Sequence, residues 1–261
     1  MAAHEIDYEI HGEEMQYVVV ELDPDETVMA EAGAMMFMKP DIEMQTRFGD
    51  GSEKGLFGKL LGAGKRMLTG ESLFLTTFTH QGHGKSHVAF GAPYPGTIIP
   101  LQLDQLGTML CQKDSYLCSA MGIEVGIAFT KRFGAGLFGG EGFILQKLNG
   151  DGLAFAHAGG CVREIQLAPG EELLVDTGCL VAFQESVEYD LRTIKGVKNW
   201  FFGGEGMFLV SLTGPGKVWL QSLPFSRLAN RIYKSAPAAG GSRRGEGSIL
   251  GGLGDMLDGD N

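Results

Sequence analysis

The sequence predicts an all-β protein built from three diverged copies of one strand-and-hairpin unit, with little helix. Three observations carry this reading. Glycine is in large excess, 41 of 261 residues, against a usual share of about 7%. No Gly-X-Y period accompanies it and only 9 prolines are present, so collagen is excluded; glycine between β-branched and aromatic runs marks many tight turns. A glycine–glutamate punctuation recurs along the chain, and the apolar runs between turns are short, with almost no helical period.

The units can be followed in order. Turn-forming stretches open each one: Leu22-Asp23-Pro24-Asp25-Glu26, Leu103-Asp104-Gln105 and Leu167-Ala168-Pro169-Gly170-Glu171. A short apolar run follows each, Ala34 to Met38, Tyr116 to Ala120 and Cys179 to Phe183. The punctuation is sharpest in Gly203-Gly204-Glu205-Gly206-Met207-Phe208-Leu209 and Gly139-Gly140-Glu141-Gly142-Phe143-Ile144-Leu145, with a weaker echo in Gly70-Glu71-Ser72-Leu73-Phe74-Leu75. Each runs into a turn: His80-Gln81-Gly82-His83-Gly84, Asn149-Gly150-Asp151-Gly152 and Thr213-Gly214-Pro215-Gly216. A further strand closes the unit, Ser86 to Phe90, Leu153 to His157 and Val218 to Gln221. The expected units span about 22–90, 101–158 and 165–222 within one domain, 1–233. A single unit of this length would bury only about 60% of its surface, so three sharing a core, as a closed or stacked β-architecture with pseudo-threefold symmetry, is the stable solution. Leu223 to Tyr233 reads as a short closing helix or strand, and 234–261, rich in glycine, alanine and serine, as a mobile tail.

Composition narrows the function classes. The net charge is −11, which repels phosphate backbones and argues against general nucleic-acid binding. The four cysteines, Cys111, Cys118, Cys161 and Cys179, form no C-x-x-C and read as buried free thiols of a reducing compartment. No secretory signal is visible at Met1-Ala2-Ala3-His4-Glu5-Ile6-Asp7, and no run approaches the roughly 18 apolar residues of a membrane-spanning helix. The expected location is cytoplasmic, with peripheral membrane contact open.

The Phe-Gly-Gly-Glu-Gly pattern of 138–142 and 202–206, together with Thr213-Gly214-Pro215-Gly216-Lys217-Val218-Trp219-Leu220-Gln221-Ser222, resembles the family named for altered inheritance of mitochondria, in the form of a bacterial member. The resemblance covers about 6–233. It implies a triplicated β-sandwich or β-helix-type fold similar to the subunit of the tryptophan RNA-binding attenuation protein. It implies no enzyme activity, no cofactor and no catalytic residue to carry over. Mitochondrial members are associated with inner-membrane organisation; the absence of a transit peptide here leaves the organelle untransferred.

Motifs for catalysis fail on context. Gly134-Ala135-Gly136-Leu137-Phe138-Gly139 spells G-x-G-x-x-G, but a β-run follows where a dinucleotide site needs a helix. Gly84-Lys85-Ser86 lacks the P-loop glycine, having Thr79 in its place. His80, His83 and His87 read as exposed turn histidines, so no metal site is expected. Glu71, Glu141 and Glu205 occupy equivalent places in the units; each carboxylate is expected to accept hydrogen bonds from its own glycine-rich loop or to pair with a nearby lysine, the functional alternative being a shared ring for a small ligand or cation.

One feature stands out. Before each of those glutamates lies a basic and apolar segment. Segment 54–70 holds Lys54, Leu56, Phe57, Lys59, Leu60, Leu61, Lys65, Arg66, Met67 and Leu68; 130–140 holds Lys131, Arg132, Phe133, Leu137 and Phe138; 194–204 holds Lys195, Lys198, Trp200, Phe201 and Phe202. Together they carry 8 of the 21 basic residues and no acidic one. Burying one large apolar side chain is worth about 1.5–3 kcal/mol, so these residues are expected to pack inward, against another subunit, or against an apolar partner. The function read from them is a non-enzymatic, self-associating scaffold or binding protein, its partner an anionic membrane surface or an acidic protein. Nucleic-acid binding, by fold analogy alone, is the rival.

Overall fold

Turns at short intervals cut the chain into strands of four to eight residues, and four antiparallel sheets result. They are seen in a computed structural model that describes residues 2–48, 74–131, 143–193 and 208–235. The first sheet has the order β1 (Asp7–His11), β2 (Tyr17–Leu22), β7 (Ser86–Gly91), β4 (Met35–Met38). The second runs β5 (Ile42–Phe48), β6 (Phe74–His80), β3 (Thr27–Glu31), β10 (Tyr116–Ala120), β13 (Leu153–Gly159), β8 (Gly96–Gln102). The third runs β11 (Glu124–Lys131), β12 (Phe143–Asn149), β9 (Met109–Gln112), β16 (Leu180–Gln184), β19 (Gly216–Gln221), β14 (Val162–Leu167). The fourth has only β15 (Glu172–Asp176), β18 (Phe208–Thr213) and β17 (Glu188–Thr193), with β18 in the middle. The chain is all-β, as its turn-rich composition predicts.

One pairing order is met three times. The strands β2-β7-β4, β8-β13-β10 and β14-β19-β16 are neighbours in that order, and so are β5-β6-β3, β11-β12-β9 and β17-β18-β15. The register irregularities recur as well, between Met35 and Phe37, Tyr116 and Cys118, and Leu180 and Ala182. A bulge at one fixed place bends the strand and re-aims its side chains the same way each time.

Burial follows from sheet position. In β2 the alternation is strict, with Val18, Val20 and Leu22 fully buried and their neighbours half-exposed, as for a strand with one face on the core. In β10 and β13 every residue is buried, because these central strands are covered on both faces. One cluster gathers Val20, Phe78, Phe90 and Phe155; another gathers Phe183, Val210, Leu212 and Val218. Edge-to-face ring contacts fix the packing, Phe78 against Phe90 at 5.1 Å and Phe183 against Tyr189 at 5.4 Å.

Four expectations need correction or completion. Leu103–Leu106, read as a turn, is a single turn of helix, whereas the stretches at Leu22 and Leu167 are turns closed by Glu26 and Glu171, whose carboxylates accept the backbone N–H of Asp23 and Ala168 at 2.8 Å. Cys111 and Cys118 are buried, but Cys161 is exposed and Cys179 half-buried, since Cys161 lies in the turn before the edge strand β14. His80, read as exposed, is fully buried at the end of β6. The closing segment is a helix, Phe225–Ser235.

Met1–Ser226 forms one compact unit and Arg227–Asn261 a second; of the second, the body of that helix is described, and the tail 236–261 lies outside the described residues. No helix among the described residues is long and apolar enough to cross a membrane.

Candidate interaction surface

Three hairpins frame the basic and aromatic segments. The first, β5 with β6, is in register from Ile42↔His80 to Phe48↔Phe74. The second, β11 with β12, runs from Glu124↔Asn149 to Lys131↔Phe143. The third, β17 with β18, runs from Glu188↔Thr213 to Thr193↔Phe208. In each, the outer strand is a sheet edge and the inner one pairs onward to β3, β9 or β15. Edge position keeps Glu43, Met44, Gln45 and Thr46 exposed on β5, and Glu124 and Ile127 on β11.

Lys131 is the last residue of β11. The remaining candidates fall between the paired strands and outside the described residues: Phe57, Lys59, Lys65, Arg66 and Glu71 in the first hairpin, Arg132, Phe133, Phe138 and Glu141 in the second, and Lys195, Lys198, Trp200, Phe201 and Glu205 in the third.

Two polar clusters that sequence reasoning passed over lie inside the described sheets. Asp41 takes the Ser86 hydroxyl on one carboxylate oxygen at 2.5 Å and lies 3.2 Å from His80 Nε2 with the other. The Ser86 hydrogen bond, foremost, holds the Asp41 carboxyl below its usual range. The arrangement ties β5, β6 and β7 together at one corner. The Ser86 hydroxyl is fully buried and donates to Asp41, so it is not presented as an accessible nucleophile.

Glu31 closes β3 beside Asp114 and Lys113. Burial first, and the Asp114 carboxylate second, push its carboxyl up to about 7. Nearby, burial holds the Tyr94 phenol neutral and moves His157 down to about 4. Their rings meet edge to face at 4.6 Å. Glu31 could have been suspected from Val28-Met29-Ala30-Glu31, a charge directly after an apolar run; nothing local marks His157. No group of three or more His, Cys, Asp or Glu among the described residues is placed to hold a metal ion.

The family model described as Mitochondrial biogenesis AIM24 matches residues 8–223, from β1 to the end of the last strand. The chain belongs to that family. An uncharacterized protein of Streptococcus pyogenes serotype M6 is 28% identical to this AIM24 chain over 229 residues, 86% of this chain and 89% of the relative. An X-ray structure of a Streptococcus pyogenes protein aligns with a TM-score of 0.67 at 23% identity, over 89% of this chain and all of the other. At that identity the likeness shows the AIM24 fold alone. The first β-rich unit is therefore the family's, and the helix Phe225–Ser235 lies beyond the match.

Proposed function

We propose that this AIM24 chain is a non-enzymatic scaffold that meets an anionic membrane surface through the three basic and aromatic segments. The observation that carries the reading is positional. Each segment joins the outer and inner strands of a hairpin that holds the same place in the pairing order. Segregation supplies the electrostatics: 8 of 21 basic residues and no acidic one fall in these windows, in a chain of net charge −11. Such a chain is repelled from anionic lipid as a whole, so contact has to come from a locally cationic region within a Debye length, about 8–10 Å at physiological salt. The aromatic and leucine residues in the same windows supply the apolar insertion that an interfacial contact needs.

Exchanging Lys59, Lys65 and Arg66 together for glutamate reverses three charges in the longest segment. The variant is expected to lose at least tenfold in affinity for phosphatidylserine-containing vesicles in co-sedimentation. Undiminished binding would remove this segment as the electrostatic contact.

A further inference from the structure

Glycine makes up 41 of the 261 residues, yet neither a glycine nor a proline falls between Phe225 and Ser235. Without either breaker, that segment forms the longest helix among the described residues. At 3.6 residues per turn, Phe225, Leu228, Ala229, Ile232 and Tyr233 share one face about 140° wide, and the basic positions Arg227, Arg231 and Lys234 fall within about 60° on the other side. The helix sequence holds no acidic residue, although the whole chain has 32. It is a cationic, two-sided element in a chain of net charge −11.

The apolar side of this helix is open to solvent. Ile232 is 62% exposed and Tyr233 82%; Phe225, whose ring meets Tyr94 at 5.2 Å, still keeps 47%. Leu228 and Ala229 between them are half-buried. Scattered apolar residues are ordinary on a surface, but these three lie along one helix side with the cations on the other. Helices of that pattern lie in the plane of a membrane interface, the apolar side among acyl chains and the basic side at the headgroups. Length agrees. Eleven residues span about 16 Å, half of a hydrocarbon core of about 30 Å, so the helix can lie on a bilayer and not cross it. The Tyr233 ring, apolar in body and polar at its hydroxyl, suits headgroup depth. Basic residues with no acidic neighbour on the helix select an anionic surface over a neutral one.

We propose that the helix Phe225–Ser235 is an interfacial anchor, lying flat on an anionic membrane with Phe225, Ile232 and Tyr233 in the apolar layer and Arg227 and Arg231 toward the lipid phosphates. The proposal rests on the membrane reading above and extends it to an element outside the three segments and beyond the residues 8–223 that the family model matches. So short an anchor holds weakly by itself, as single weak membrane signals do. Carried on the same chain as the cationic segments, it makes the second contact intramolecular and raises the overall hold without any new group.

The test places an environment-sensitive fluorophore on the full chain through Ile232→Cys, or through Asn230→Cys on the polar side, in a Cys161→Ser, Cys179→Ser background. Phosphatidylserine-containing vesicles are expected to shift the emission at position 232 to the blue and to leave position 230 nearly unchanged; neutral vesicles are expected to move neither. Ile232→Asn combined with Tyr233→Asn is expected to weaken co-sedimentation with the anionic vesicles by about fivefold or more, with an unchanged circular dichroism spectrum. Co-sedimentation of the chain without a shift at position 232 would overturn the anchor and leave the three segments as the contact. A shift that persists, with undiminished binding, when Lys59, Lys65 and Arg66 are exchanged for glutamate would support the anchor and remove that segment. Equal shifts at the two positions would overturn the orientation. Emission already blue without vesicles and unmoved by them, as when a protein surface covers the face, would overturn the proposal, and so would an absence of binding to either vesicle.

Discussion

Glu31 and His157 set opposite pH dependences within the same fold. The Glu31 carboxyl binds its proton up to about pH 7 in the folded chain and only to about 4.3 when unfolded. Between those values the folded state holds more protons, so this residue's contribution to stability is complete below the unfolded pKa and is lost as pH rises to 7. His157 runs the other way. Its folded pKa of about 4 lies below the unfolded value of about 6.5, so stability is lost as pH falls between the two. Glu31→Gln removes the first dependence and leaves the second. Urea midpoints are expected to show the variant more stable than wild type at pH 8, by about 1–3 kcal/mol, with the advantage gone at pH 4. An equal difference at both pH values would show that Glu31 is not titrating in this range. In the sequence Glu31 shows only as a charge after an apolar run and His157 not at all, because the shifts come from burial, and for Glu31 also from the nearness of Asp114, which only the folded chain creates.

At the scale of the strand, glycine has two separate uses. A Cβ on Gly96 of β8 would collide with the Ala158 carbonyl and the His157 ring on the neighbouring strand, whereas one on Gly126 of β11 would meet nothing within 4 Å. Gly96→Ala is therefore expected to destabilise the fold by about 1–3 kcal/mol. Gly126→Ala should be neutral or stabilising by up to about 1 kcal/mol. Paired urea titrations check both, and equal midpoints would contradict the close packing of β8 on β13. Strand signals were readable where an apolar run met a glycine turn, as at Leu153–Gly159 and Gly216–Gln221. They failed for the polar outer strands β5, β11 and β17, whose exposed faces carry Glu43, Gln45, Glu124 and Asp190 and so show no buried run. His80 was misread for a related reason: a turn sequence in isolation gives no sign that Asp41, thirty-nine residues earlier, closes over it.

For the whole molecule, the all-β class followed from composition and punctuation, while the joining of strand sets through β3 with β10 and β9 with β16 did not. Those pairings link strands about 90 and 70 residues apart, a separation that no local pattern encodes. The candidate segments were found by charge segregation, and what the described strands add is that all three fall at one place in the pairing order. The claim that these segments meet an anionic surface is tested most directly by co-sedimenting the purified wild-type chain with neutral and with phosphatidylserine-containing vesicles at low and moderate salt. Binding is expected to require the anionic lipid and to weaken several-fold as salt rises. Equal recovery with neutral vesicles, or none with either, would contradict it and turn the search to a protein partner.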